Sequence, residues 1–441
     1  MTLLKQLTLL LFICLPAFAE ADIKITSWQE SATITKTGKV AAIAIKAQAV
    51  GLAAGESFTS YSIGFGPKRK IRLEAVICDG QSAKYSFVNN TITFQFPNHK
   101  TNNATILMAF SFEETYENIN EYLRQELINV PPFAAGANAK VTINFPQYLE
   151  SATLNPHIIN NFDNFTYSNV VPQGGVEEIV KLTAKEAAWD VNIKFQLSSN
   201  QGLGDVKVAV PSYFINSEQD VKNYWIRPSI TPIAQVNNAT SKEYTFKTVE
   251  RNLLIENKAI IYIGQNHRFP IIREPNDYLK VSENERQLLR PILNQIAQDP
   301  KYQGLPLYAK IGKFVHEFIK YDERYVGRLP QVAEILRNPT GVCTEFATLY
   351  TALARTANIP ALTINGAACG EYNKCQGHAW NLIYQDRRWI NVDATWDLMS
   401  GVVSSSHVYF HENGKGALQV SYFGDKKPME SKIDFEILKR R

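Results

Sequence analysis

Apolar residues recur at two different periods along this chain, and the change of period divides it. From Asp22 to about Asn200, the stretches 39–49, 91–96, 105–112, 141–145 and 191–197 alternate or run apolar over strand length. Short strands at such spacing predict an all-β, sandwich-like module. One stretch, 115–127, is polar with Tyr122, Leu123 and Leu127, and reads as a short surface helix. Beyond Gly202-Leu203-Gly204-Asp205, strand patterns return at 206–210, 243–249 and 253–263. Between them Trp225, Pro228 and Pro232 mark a loop. Near Ser282 the period lengthens: Ser282 and Glu285 have the spacing of a capping box, and Ile311, Phe314, Val315 and Phe318 line one face of a helix over 307–318. The stretch 329–336 leads to a turn. The expected division is 1–21 as a leader, 22–200 as the β module, 201–280 as a β-rich lead-in, and 281–441 as a mixed core. The class is α+β.

The mixed core holds the chemistry. Phe346, Tyr350, Leu353 and Ala357 share a helical face, so Cys343 falls in that helix's first turn. There a thiol meets unclaimed backbone N–H groups and the positive end of the helix dipole, both of which favour thiolate. Asn358-Ile359-Pro360 ends the helix, since Asn tolerates the left-handed cap and Pro forbids continuation. A strand at 361–364, a polar loop at 365–377, a strand from His378 to Tyr384, a turn, and a returning strand at 389–392 follow. This hairpin sets His378 beside Asp393. A thiol, an imidazole and a carboxylate are the three parts of thiol acyl transfer. The N–H of Cys343 is a candidate oxyanion donor; Trp225 and Tyr321 are candidates for a second.

The segment from Tyr321 to Trp396 resembles the transglutaminase-like superfamily. The resemblance rests on Gly341-Val342-Cys343 at a helix start, His378-Ala379-Trp380 on a strand, and Asp393-Ala394-Thr395 at a strand end, in that order. Arg355 and Ile359-Pro360 match the family's Arg-x-x-Gly-Ile-Pro stretch, with Asn358 in place of Gly; Leu362 stands where many members have Arg. The resemblance covers about a fifth of the chain. It implies a papain-like core and catalytic roles for Cys343, His378 and Asp393. The family includes cross-linking enzymes, peptidases, peptide-glycan amidases and members without activity. The expected function is hydrolysis of protein or peptide amide bonds through a thioester, as a peptidase or deamidase. The alternatives are a protein-cross-linking acyl transferase, or a non-enzymatic binding or assembly protein that keeps the fold. Trp380 and Trp396 are expected to be core packing around the triad.

The remaining features set the context. Lys5, an apolar stretch to Phe18, and small residues at Ala17, Ala19 and Ala21 form a secretory signal, cleaved near Ala19 or Ala21, too short for a secure membrane span. The protein is therefore expected to be exported, periplasmic or secreted, with no stable span. A net charge of +4 on 441 residues gives no case for nucleic acid. No cofactor is expected, because neither a phosphate loop nor a dinucleotide fingerprint occurs. No metal is expected either: His407 and His411 are four apart, but no helical pattern supports a site. Without the leader, Cys78, Cys343, Cys369 and Cys375 remain. In an oxidising compartment Cys369 and Cys375 are candidates for a disulfide beside His378. Free thiols, or a bond from either to Cys78, are the other possibilities.

Overall fold

The computed structural model describes residues 22–35, 39–50, 58–64, 71–89, 91–100, 103–112, 118–120, 123–161, 163–212, 219–238, 241–264, 274–328, 330–369, 375–412, 419–423 and 430–440. The expected leader lies outside them. These residues are mostly strand, and among them the four α-helices all fall between Glu283 and Thr356. By contacts the chain separates into two units: 1–118, 124–150 and 157–181, and then 119–123, 151–156 and 182–441.

The first unit is built on a sheet whose strands run, side by side, Ile158–Asn160, Asn164–Val170, Asn138–Asn144, Asp22–Ile34, Lys39–Val50, Asn103–Phe112, Ile71–Cys78 and Gln81–Ser82. Alternate residues such as Ile43, Ile45, Ile106, Met108, Val141 and Ile143 are buried, as the period-two pattern requires. Residues 123–127, expected as part of a surface helix, belong instead to a strand, Leu123–Val130. There Arg124 and Glu126 are buried while Ile128 and Val130 continue the same inward face. Tertiary pairing has overridden a polar, helix-like composition.

The second unit contains a sandwich and a mixed core. One sandwich sheet is ordered Gln219–Pro228, Asn252–Ile263, Ala187–Ser198, Glu430–Lys439; the other is ordered Ala234–Asn237, Ser241–Val249, Gly204–Pro211, Gln419–Phe423. Trp189, Val191, Ile193, Phe195 and Leu197 from one sheet share a core with Val206, Val208, Val210, Tyr244 and Phe246 from the other. Each such side chain contributes about 1.5–3 kcal/mol through burial. The expected loop around Trp225 is instead a strand. A bulge between Lys222 and Trp225, with Asn223 at φ 51°, shifts its register against Asn252–Ile263. Two prolines downstream had marked the region as irregular; pairing on one side accommodates it.

In the mixed core, helices α1 (Glu283–Gln298), α2 (Leu307–Phe318), α3 (Val332–Arg337) and α4 (Cys343–Thr356) precede a five-stranded sheet. Its order is Leu398–Gly401, Arg388–Asp393, Cys375–Gln385, Ala361–Cys369, Val408–Glu412. The capping box at α1 forms as expected: the Ser282 hydroxyl accepts from the Glu285 N–H, and the Glu285 carboxylate accepts from the Ser282 N–H. Helix α4 is buried against α1, α2 and the sheet through Phe346, Leu349, Tyr350 and Leu353. Asn358 follows it at φ 58°, the left-handed cap position. The Asn381 amide donates to the Ala347 carbonyl (3.0 Å) and to Thr351 Oγ1 (2.8 Å), tying α4 to the central strand.

Candidate active site

Cys343 is the first residue of α4, and the five residues 341–345 explain its setting. The Glu345 side chain folds back so that its Oε2 accepts from the Val342 N–H at 2.8 Å and from the Thr344 hydroxyl at 3.0 Å. A Cβ at Gly341 would lie 2.4–2.8 Å from the Glu345 side chain, so only glycine fits there. Val342, the N-cap, makes no side-chain cap hydrogen bond. A valine offers no oxygen, so the first-turn N–H groups are left to something other than a capping side chain. Cys343 is partly exposed, while Glu345 is buried. Tyr321 pairs in register with Gly341, and burial, Cys343 and Glu323 push its hydroxyl up, which keeps it a proton donor.

The hairpin carrying His378 and Asp393 is longer than its sequence suggests. The expected loop 365–377 is strand at both ends: one strand runs on to Cys369, and the next begins at Cys375. Residues 370–374 lie outside the described residues. Asn and Gly gave this stretch its loop-like look. Pairing with Val408–Glu412 on one side and Cys375–Gln385 on the other makes it a central strand. Gly366 is needed there, because a Cβ would meet the Val408 carbonyl and the Trp380 ring at 2.0–2.9 Å. Cys369 and Cys375 are paired across the two strands and joined by a disulfide, which leaves neither for Cys78. Cys78 is buried at the end of its strand.

His378 and Asp393 are not directly opposed across the ladder, whose last pair is Asn381 with Val392. Their side chains meet on the diagonal, with His378 Nε2 2.9 Å from Asp393 Oδ2. That contact occupies Nε2, so Nδ1 is the ring nitrogen left to serve Cys343, whose side chain is close enough to help raise the imidazole. Burial alone would push the imidazole down. The charge and hydrogen bond of Asp393, with Cys343 adding to them, reverse this and raise it to about 10. Burial would likewise raise Asp393, but His378 and His407 hold its carboxyl well below the usual range. Asp393 is fully buried, and its Oδ1 accepts from the N–H groups of Thr395 (2.8 Å) and Trp396 (3.2 Å). Trp380 is fully buried, and the rings of Trp380 and Trp396 lie 5.9 and 5.2 Å from that of His378.

The structure brings a further residue, His407, to the carboxylate. His407 Nε2 lies 3.0 Å from Asp393 Oδ2, the oxygen that also holds His378. Its acidic partner is supplied by the fold, from fourteen positions upstream. No local pattern around Ser404-Ser405-Ser406-His407 marks it. Burial pushes His407 down, and the charge of His378 opposes the pull of Asp393. The ligand atoms of His378, Asp393 and His407 lie within 4.8 Å of one another, and among the described residues they are the cluster that could hold a cation. The two N···O distances, 2.9 and 3.0 Å, are those of N–H···O hydrogen bonds. A zinc ion would have to displace both. The Trp225 ring, a candidate oxyanion donor on sequence, meets Arg227 and Lys258 on the sandwich sheet.

Residues 293–394, which contain the cysteine helix and the hairpin, match the transglutaminase-like superfamily. The chain carries a transglutaminase-like domain. A comparison with curated protein sequences returns no significant match. Among solved structures, a candidate cysteine protease from Cytophaga hutchinsonii is 14% identical, with a TM-score of 0.45, over 58% of this chain and 91% of that one. Leukotriene A4 hydrolase from Saccharomyces cerevisiae is 9% identical with a TM-score of 0.26, covering 38% of this chain and 31% of its own. An M1 zinc metallopeptidase from Deinococcus radiodurans is 9% identical with a TM-score of 0.26, covering 39% and 44%. This chain therefore spans under half of those last two proteins. Likenesses this loose carry no argument about activity. The family match is confined to residues 293–394, and Cys343 lies inside it at a helix start.

Proposed function

We propose that this protein is an exported cysteine-dependent hydrolase acting on amide bonds of proteins or peptides, with Cys343 as nucleophile, His378 as acid and base, and Asp393 as the orienting carboxylate. The observation that carries the reading is the hold on one imidazole: Asp393 takes Nε2 at 2.9 Å, and Cys343 is near enough to the same ring to help raise it, which leaves Nδ1 as the nitrogen to serve the thiol. Asp393 thereby fixes both the tautomer and the ring plane. The Cys343 sulfur attacks the carboxamide carbon. The oxyanion that forms is met by the Cys343 N–H at the start of α4, and the Tyr321 hydroxyl is the candidate second donor. His378 then gives its proton to the departing amine, and a thioester remains. Water, deprotonated by the same imidazole, attacks the thioester and releases the acid, and the proton stays on His378 for the next cycle. Water is the favoured acceptor because it is present at about 55 M, whereas amine transfer needs a water-excluding channel. The disulfide beside the site fits an oxidising compartment.

The test uses folded wild-type protein and Cys343→Ala. Cys343 is expected to alkylate at neutral pH much faster than a thiol in the unfolded chain. A peptide substrate should leave an acyl group on Cys343, detectable by mass spectrometry, that water discharges. Discharge mainly to added amines would make it a cross-linker. An inert Cys343 in folded protein would leave the binding or assembly reading.

A further inference from the structure

We infer that His407 is a positioning residue for the Cys343–His378–Asp393 group; the inference rests on the proposed function and deepens it. Asp393 is fully buried, so no bulk water can replace a lost partner. Two backbone N–H groups donate to Oδ1, and the Nε2 atoms of His378 and His407 lie 2.9 and 3.0 Å from Oδ2, where His407 donates in its Nε2–H tautomer. A second donor on the oxygen that binds His378 has two effects. It fixes that oxygen against the pull of a moving imidazole. It also draws off part of the carboxylate's basicity, so Asp393 grips the His378 proton less tightly and the proton remains transferable.

His407 is built to stay in place. Its ring meets Trp380, Trp396 and His378 edge-on, with centroids 5.0, 4.8 and 5.3 Å away, and the Ser404 carbonyl, 3.0 Å from Nδ1, is the competing acceptor for its single proton. The loop behind it is anchored from outside the core sheet. Trp189 Nε1 donates to the Ser405 carbonyl (3.0 Å), and the Ser405 N–H donates to Thr183 Oγ1 (3.2 Å). The Ser406 hydroxyl donates to the carbonyl of Cys369, one half of the disulfide (3.3 Å). Two residues on, the Gln219 amide brackets Tyr409, accepting from its N–H at 2.8 Å and donating to its carbonyl at 2.9 Å. Trp189 and Gln219 are sandwich residues. Through His407 the sandwich becomes part of the apparatus that sets the orienting carboxylate. A histidine serving only to fill the core would not need its Nε2 on that oxygen.

The experiment has two arms. Imidazole nitrogen NMR on the wild-type protein should show a proton on His407 Nε2, shifted downfield by its hydrogen bond; a bare Nε2 overturns the inference. In the second arm, His407→Leu should lower kcat about 10- to 100-fold with KM within about twofold, from the loss of one charged hydrogen bond. The alkaline limb of the Cys343 alkylation profile should also move up by about one pH unit, because Asp393 then holds the His378 proton harder. His407→Gln keeps an N–H near the Nε2 position and should restore most of both. A folded His407→Leu protein with unchanged kcat and profile overturns the inference. If that variant does not fold, His407→Gln decides: near-wild-type values support the inference, and a leucine-sized loss overturns it. Should wild-type Cys343 prove inert, the proposed function fails on that result, and the NMR arm alone decides His407.

Discussion

The two sides of the candidate site are held by opposite strategies. The sulfur side is local: Gly341, Val342 and Glu345 lie within four positions of one another and shape the start of α4. The carboxylate side is remote. Asp393 is reached by His378 from 15 positions away and by His407 from 14, and the loop under His407 is secured by Trp189 and Thr183, 216 and 222 positions away. A nucleophile at a helix start gets its environment from the helix itself. An imidazole and a carboxylate that must be desolvated, oriented and kept apart from water need walls that no single segment can supply.

Breaking the remote side at its centre should have the largest effect on turnover. Asp393→Asn removes the charge from beside His378 and favours the wrong tautomer; kcat is expected to fall by about a thousandfold or more. The same variant checks a pH effect. His378 is raised from 6.5 to about 10 in the folded state, so its contribution to stability is complete below 6.5 and fades as pH rises through about 10. Asp393 is lowered, so its contribution is present above 3.8 and is lost as pH falls below that value. Melting temperatures followed across pH should show both limbs in the wild type and flatten in Asp393→Asn. A wild-type curve without the alkaline limb would mean that His378 is not held as an imidazolium.

Next comes the local side. Glu345→Leu leaves the buried Val342 N–H without its acceptor, at a cost of about 1–3 kcal/mol, and should slow Cys343 alkylation about tenfold. An unchanged alkylation rate would show that the sulfur does not depend on its own helix start. The outer anchor should matter less. Trp189→Phe removes the N–H to the Ser405 carbonyl, worth about 1 kcal/mol, and turnover should fall only a few-fold, measured with substrate at saturation. A collapse of turnover in that variant with normal melting would place the anchor much closer to the chemistry. The smallest change in turnover is expected from replacing Cys369 and Cys375 with Ser. The bond closes a short loop, so the loss is about 2–3 kcal/mol of stability, with an altered substrate preference as the stronger readout. Unaltered preference would mean that this loop forms no wall of the site.

The same division decides what could be read from the sequence. The start of α4, the capping box at Ser282, the left-handed Asn358 and the pairing of Cys369 with Cys375 depend on residues close in the chain, and patterns of spacing reveal them. His407 could not be found that way, because its partner is a residue on another strand of the sheet. The extension of the hairpin through Gly366 and Ala367 was hidden for a similar reason. Those residues have weak strand propensity alone and become strand because neighbours on both sides claim their backbone groups. The strand through Trp225 needed a bulge that no composition announces.

The order of strands in the sandwich also bears on how the chain assembles. Its two last strands, Gln419–Phe423 and Glu430–Lys439, lie at sheet edges, beside Gly204–Pro211 and Ala187–Ser198. Everything from α1 through the five-stranded sheet is spelled out between those partners. During synthesis, the strands Ala187–Ser198 and Gly204–Pro211 must wait with bare edges until more than two hundred further residues have appeared. Bare edges invite pairing with other chains. A polypeptide stopped after Glu412 would hold Cys343, His378, Asp393 and His407 together with two unfinished sheets, so its first failure would be aggregation rather than loss of chemistry.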